Sequence, residues 1–263
     1  HGTGMVAIAE ALPWWGRILL PTLGGALGGA FLTFGLHWVP RRGADDYLEA
    51  LTIGDGVIGI RQSLIKGLSS LSSIATGASI GREGPMVQLS AMVGSALGRA
   101  FRLPRSSLRL LVACGATAGI TAAYNAPIAG TIFIVEIAMG RLSRATLAPL
   151  IVASVVANMV TRRFLGLDAV YKMPAFGMIT GWEVFAYAGL GIVCGVLAPL
   201  FRRILDFTRA GFQRMSHNLI LNMALGGLGV GIISVWEPDV WGNGYSVVNS
   251  ILHNPWTWQA LLA

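Results

Sequence analysis

Charge is what this sequence has least of. Only 12% of its 263 residues are Asp, Glu, Lys or Arg, about half the fraction usual in soluble domains. A water-facing surface needs more, so an ordinary soluble globular protein is excluded. Cysteine is nearly absent too. Cys114 and Cys194 both stand in apolar runs and read as small buried hydrophobes, not as a disulfide or metal pair. Histidine is limited to His1, His37, His217 and His253, without a His-x-x-x-His spacing or a partner acid. An intramembrane enzyme using Glu83 or Glu136 as a base would therefore lack a nucleophile or metal ligands. The chain is not read as an enzyme, and no cofactor or metal is expected. No cleavable signal peptide is recognisable in "HGTGMVAIAEALPWW", whose start suggests a trimmed terminus.

What is present is apolar. Of the residues 54% are hydrophobic, mean hydropathy is +0.66, and there are 35 glycines. Membrane helices use such small residues to approach one another closely. Uncharged runs cover residues 18–36, 110–135, 145–161, 184–201 and 215–236. Most are near the roughly 20 residues that a helix needs to cross about 30 Å of hydrocarbon. Runs 67–80 and 84–98 are too short to cross. Run 110–135 is too long for one plain helix and contains "YNAP", Tyr124 to Pro127, where proline removes a donor and disfavours helix just before it. Two helical pieces joined at a break are expected there.

Interrupted helices in a bilayer persist only where protein buries the free backbone groups or where they line a wet cavity. Transporters and channels exploit this by aiming half-helix N-termini at ions near the midplane. The stretch "ASIGREGPMVQ", Ala78 to Gln88, fits that use. Pro85 suits a first helical turn, so a helix beginning near Pro85 is expected. Gly81 and Gly84 permit positive φ and close backbone approach. Glu83 stands just before the free amides, where a carboxylate fills an anion site when ionised and leaves it when protonated. The competing reading is a structural ion pair between Arg82 and Glu83 that closes the loop. An ionisable group in a membrane segment is by default functional, which favours the gate.

"GREGPMVQ", followed by "CGATAGITAAYNAPIAGTIFIVEI" from Cys114 to Ile137, resembles the CLC family of chloride channels and chloride/proton antiporters. The resemblance implies an all-α integral membrane bundle of tilted, discontinuous helices in two inverted repeats, and a homodimer with one pore per subunit. It implies that Glu83 is the gating glutamate, that Arg82 is mainly structural, and that Glu136 sits near the cytoplasmic end of its helix. Residues 15–165 then form most of the first repeat and 182–263 the start of the second, within one truncated transmembrane domain spanning 1–263. Relative to the family pattern, the chain is expected to begin shortly before a helix over 17–39, with an earlier helix missing. The family's glycine-x-phenylalanine-x-proline loop and pore tyrosine are expected beyond Ala263. "WGNGYSVVNSIL", Trp241 to Leu252, matches the glycine-rich approach to a short helix of the second repeat.

Three departures from the family pattern bear on mechanism. Where a glycine-serine-glycine-isoleucine-proline loop is usual, the chain reads "PRRGADDYLEAL", Pro40 to Leu51, without a serine for an inner anion site. That same stretch resembles a bacterial branch described as voltage-gated chloride channels and linked to acid resistance in enteric bacteria. Asp45 and Asp46, the second departure, are read as helix N-terminal caps in preference to pore residues. Ile137, the third, occupies the position where well-known antiporters carry an inner proton-relaying glutamate. The expected function is therefore chloride transport through a Glu83-gated pore, as a voltage- or acid-sensitive channel, with chloride/proton antiport as the alternative. Glu136 is either part of a proton pathway or a helix-end carboxylate held in a hydrogen-bond network. A fluoride/proton antiporter is disfavoured because the loop ends in Pro85.

The remaining chain reads as assembly. Small-xxx-small spacings occur in "GGALGG", Gly24 to Gly29, at Gly191 with Gly195, and at Gly227 with Gly231, consistent with tight crossings. The resemblance puts the dimer face on residues 128–164. Most of the eight tryptophans, Trp14, Trp15, Trp38, Trp182, Trp236, Trp241, Trp256 and Trp258, fall at run boundaries as interfacial anchors do. A net charge of +7 is spread over Arg99, Arg102, Arg105, Arg109, Arg202, Arg203, Arg209 and Arg214 among the connections. Snorkelling to lipid headgroups explains these better than nucleic acid does. The expected partners are chloride, protons, lipid and a second copy, and the expected location is the bacterial inner membrane.

Overall fold

A chain crossing hydrocarbon must satisfy its backbone internally, and the uncharged runs do so as helices. The computed structural model describes residues 4–39, 43–140, 143–166 and 181–253. It contains α1 (Met5–Ala11), α2 (Trp14–Ala30), α3 (Tyr47–Thr52), α4 (Ile60–Ala75), α5 (Glu83–Ala100), α6 (Arg105–Tyr124), α7 (Pro127–Ile134), α8 (Arg144–Leu165), α9 (Glu183–Met215), α10 (Leu219–Trp236) and α11 (Tyr245–His253). Wider π-helical turns extend α2 over Phe31–Gly35 and α7 over Val135–Met139. Among the described residues the β-structure is a single bridge between Ala44 and Ile58. Five segments are long and apolar enough to cross a membrane: Trp14–Gly35, Arg105–Tyr124, Ala145–Phe164, Glu183–Met215 and Leu219–Trp236.

Two of these differ from the runs read in the sequence. α9 does not stop at Phe201 but continues for 33 residues, roughly 50 Å at 1.5 Å per residue. Arg202, Arg203, Arg209 and Arg214 therefore ride on a helix and not in a connection. Charges interrupt a hydropathy run without interrupting helix propensity. α10 starts at Leu219, after Asn218 accepts a bond from the Ile220 amide at 3.0 Å, so the residues from Met215 to Asn218 belong to a helix end and a turn.

Glycine decides how the helices meet. α2 crosses α10 backbone against backbone: a Cβ at Gly25 would lie 2.2 Å from the Met223 carbonyl oxygen, and one at Gly227 would lie 2.1 Å from that of Pro21. α5 crosses α6 in the same way, with Gly94 facing Leu111 and Gly115 facing Ser90. The first crossing was legible as small-xxx-small spacing; the second was not singled out. Gly191 and Gly195, expected to serve a crossing, meet nothing within 4 Å, and α9 buries none of its residues. Cys194 on α9 is accordingly exposed, contrary to expectation, whereas Cys114 packs partly buried against the core; both thiols are free.

The core lies between α3, α5, α6, α7 and α8, around Leu51, Ile58, Val112, Ile134 and Leu150. α4 is turned inside out. It buries Gln62, Ser63, Ser69 and Ser73 and exposes Leu64, Leu68 and Leu71, the arrangement suited to lipid on one face and polar protein on the other. Ser69 Oγ donates to the Gly28 carbonyl at 2.9 Å.

The expected break is present. Asn125 takes a left-handed conformation, φ 54°, between α6 and Pro127 at the head of α7. Asparagine tolerates that region better than most residues. Polar groups on α8 hold the break: Asn158 Nδ2 donates to Asn125 Oδ1 at 2.6 Å, Arg162 Nε donates to the same oxygen at 3.2 Å, and Ser154 Oγ donates to the Pro127 carbonyl at 2.6 Å. Asp46 caps α3 as expected, accepting from the Glu49 amide at 2.7 Å. Glu49 Oε2 reaches back to the Asp45 amide at 2.8 Å.

Trp14, Trp15, Trp38, Trp182 and Trp236 are exposed as anchors would be. Trp241 is not: it is 2% exposed, and its indole lies so close to Gly77 that a Cβ there would approach it to 2.4 Å. The anchor reading fails there because a boundary between apolar runs in sequence is a buried packing position in space. His1, Trp256, Trp258 and residues 40–42 lie outside the described residues.

Gly227→Ala places a methyl against the Pro21 carbonyl and is expected to lower stability by about 1–3 kcal/mol, while Gly226→Ala, whose Cβ meets nothing within 4 Å, leaves the melting temperature near the wild-type value in detergent. Asn125→Ala removes two side-chain bonds and a residue suited to positive φ. A loss of about 1–3 kcal/mol is expected, read as a lower unfolding midpoint.

Candidate functional site

α5 begins two residues earlier than Pro85 suggested, at Glu83. Proline fits anywhere in the first turn, where its missing N–H leaves no helical bond unmade, so it marks the turn and not the first residue. Arg82 is the N-cap and supplies no side-chain cap. Its carbonyl accepts from the Met86 amide at 3.2 Å. That leaves Glu83 and Gly84 as the first-turn residues without such a bond, and both line a cavity of 540 Å³.

The two glycines act by lacking a side chain. Neither has positive φ; the glycine of this loop that does is Gly77, at 95°. A Cβ on Gly81 would fall 1.9 Å from Glu83 Oε2, so any larger residue there requires the carboxylate to move. A Cβ on Gly84 would meet nothing within 4 Å and would project into open space. The sequence reading assigned both to backbone conformation, whereas the structure assigns one to the carboxylate and the other to the cavity.

Glu83 is half-buried and borders two spaces. One is the 540 Å³ cavity, walled by Tyr47, Val87, Ile120, Tyr124, Gly130 and Phe133. The other holds 400 Å³ and is bounded by Ser79, Gly81, Asn243, Gly244 and Tyr245. Tyr124 borders both as well. The carboxylate thus stands where the two spaces adjoin, at the positive end of an 18-residue helix, whose dipole favours a negative charge.

The Arg82–Glu83 ion pair weighed from sequence is not formed. The Arg82 guanidinium lies 5.7 Å from the centre of the Tyr245 ring, within cation–π range. Glu83 Oε1 accepts a bond from the Tyr245 hydroxyl at 2.5 Å. Tyr245 is the site residue that sequence reading missed. It lies 162 positions away, and the one local sign is that it opens α11 directly after "GNG".

Tyr47 forms the far wall, its amide donating to Gln88 Oε1 at 2.9 Å while Gln88 Nε2 donates to Ser63 Oγ at 3.0 Å. Burial, and secondly the Asp46 carboxylate beside it, push the Tyr47 phenol above its ordinary value. It therefore remains a neutral hydroxyl at working pH. Asp46 caps α3, and neither Asp45 nor Asp46 lines the cavity.

Glu136 and Ile137 lie elsewhere, in the π-helical turn after α7, and both are exposed. The hydrogen-bond network expected around Glu136 is not found among the described residues, where its side chain is exposed. No group of three or more His, Cys, Asp or Glu that could hold a metal occurs among the described residues.

The profile of the family described as voltage gated chloride channel matches residues 13–263. The chain belongs to this family, the CLC family. It is 56% identical over 262 residues to a ClcB-like chloride channel protein of Ralstonia nicotianae, covering 98% of this chain and 61% of that relative. With the voltage-gated ClC-type chloride channel ClcB of Salmonella dublin it shares 39% over 254 residues, 95% of this chain and 60% of that one. The chain therefore spans about three fifths of the length of these curated relatives. The crystal structure of a slow cyanobacterial Cl⁻/H⁺ antiporter superposes with a TM-score of 0.82 at 23% identity, over 98% of this chain and 62% of that one. A CLC-type fluoride/proton antiporter superposes at 0.66 and 22% identity, over 94% and 73%. These likenesses establish the fold: an all-α, multi-span CLC-type bundle of tilted helices.

Gly81→Ala is expected to push the Glu83 carboxylate off Tyr245, so that a structure of the variant finds the two oxygens more than about 3.5 Å apart. Gly84→Ala is expected to leave that bond in place and to shrink the larger cavity.

Proposed function

We propose that the protein moves chloride across the bacterial inner membrane through a CLC-type pathway in which Glu83 is the gate. The observation that carries this reading is the place of the Glu83 carboxylate, at the head of α5 where two cavities adjoin. An ionised carboxylate there occupies the position an anion would take against the helix N-terminus. Protonation cancels its charge and its claim on that position, so acid opens the path. One charge moved through the full membrane field is worth about 2.3 kcal/mol per 100 mV, which makes a single glutamate a weak voltage sensor.

Within that reading, exchange of chloride for protons is supported by the 0.82 superposition on a protein described as a Cl⁻/H⁺ antiporter. Passive conduction, the reading favoured from sequence, is supported by Ile137, an apolar side chain that relays no proton, and by the channel names of the curated relatives. The apolar groove between α7 and α8, lined by Ile128, Ile132, Ile151 and Val155, supports pairing of two copies through residues 128–164.

The test uses full-length protein in liposomes, with chloride efflux and internal pH recorded together. Glu83→Gln is expected to give chloride flux that no longer rises as pH falls; flux that keeps its acid dependence would sink the gate. Protons driven uphill by a chloride gradient identify exchange, and chloride flux without proton movement identifies a channel.

A further inference from the structure

We propose that Tyr245 is the clasp that holds the Glu83 carboxylate at the junction of the two cavities, and so sets the acidity at which the pathway opens. This rests on the reading of Glu83 as the gate. Three observations converge on it. The Tyr245 hydroxyl donates to Glu83 Oε1 at 2.5 Å. Arg82 holds the same ring from its face, 5.7 Å from the centroid. The absence of a Cβ on Gly81 keeps the space that the second carboxylate oxygen occupies. Ring, cation and glycine together surround the position that the carboxylate takes.

The clasp joins distant parts of the chain. Glu83 opens α5, whereas Tyr245 opens α11, which follows α10 through the short 3₁₀ turn Pro238–Val240 and the buried Trp241. α10 is itself packed backbone to backbone against α2 through glycine, and the turn that follows it carries the hydroxyl to Glu83. A hydrogen bond donated to a carboxyl oxygen is stronger when the group is charged than when it is neutral. Tyr245 thus favours the charged, pathway-filling form of Glu83 over the neutral one.

The other titratable or charged groups facing Glu83 are Arg82 on the preceding turn, Tyr124 at the end of α6 and Tyr47 at the start of α3. Arginine and tyrosine side chains ordinarily titrate above pH 9. In the acid range where flux is read, the glutamate is therefore the group whose protonation the clasp opposes.

The test compares wild type, Tyr245→Phe, Glu83→Gln and the double variant as full-length proteins in liposomes, with chloride efflux measured from pH 4 to 8. Tyr245→Phe removes one oxygen and keeps the ring under Arg82. Its acid activation is expected to move upward by about one pH unit, the size of a single charged hydrogen bond, and to leave the flux of Glu83→Gln unchanged when combined with it. Gly81→Ala breaks the same bond from the glutamate side, and the same upward shift is expected even where Tyr245→Phe fails to fold. An unshifted profile in both variants, beside a Glu83→Gln protein that has lost its acid dependence, overturns the clasp and leaves the gate. A change in flux on adding Tyr245→Phe to Glu83→Gln also overturns it, since the tyrosine would then act on packing and not through the carboxylate. A Glu83→Gln protein that keeps its acid dependence overturns the gate itself.

Discussion

Backbone-to-backbone helix contact is the constraint on which the rest of this structure depends. Lipid supplies no hydrophobic drive for one apolar helix to prefer another, so association comes from close van der Waals packing and buried polar bonds. At the α2–α10 crossing, carbonyl oxygens sit where a methyl would otherwise be. α10 is thereby pinned, and the turn after it delivers Trp241 against Gly77 and Tyr245 against Glu83. The α5–α6 crossing fixes the other side, because Gly94, Gly115 and Gly119 bring the helix that begins at Glu83 against the helix that ends at Tyr124. The α5–α6 crossing places Glu83, Val87, Ile120 and Tyr124 around the larger cavity.

Given that rigidity, the interruptions carry the polarity. Asn125 ends α6 in a left-handed turn; its side-chain oxygen accepts from Asn158 and Arg162 of α8, and the Pro127 carbonyl accepts from Ser154. α4 turns its serines inward and its leucines outward, and Gln88 bridges the loop at Tyr47 to Ser63. Each is a case of the same rule: away from water, a polar group must find a partner within the protein.

Much of this was legible before any coordinates. The break at "YNAP" followed from proline chemistry, the cap at Asp46 from the residue type before α3, and the α2–α10 crossing from glycine spacing. Glu83 stood out because few charges are placed in so apolar a chain. What went unread shares one feature. Trp241 reads as an interfacial anchor when only its neighbours in sequence are known, and Tyr245 reads as the start of a short helix. Gly81 and Gly84 look alike in "GREGP", yet one makes room for a carboxylate and the other opens a cavity.

The sequence by itself determined that this is a multi-span helical membrane protein of the CLC family, where its helices break, and that Glu83 is the carboxylate at the head of one of them. Those properties depend on hydropathy, on proline and glycine, and on short motifs, all of which act over a few residues. Only the tertiary structure decided what surrounds that carboxylate: the Tyr245 hydroxyl 162 residues away, the Arg82 cation drawn to the tyrosine ring, and the two cavities that Glu83 borders. Such contacts are made by chain segments that meet through helix packing, and packing is a property of surfaces that no local pattern encodes.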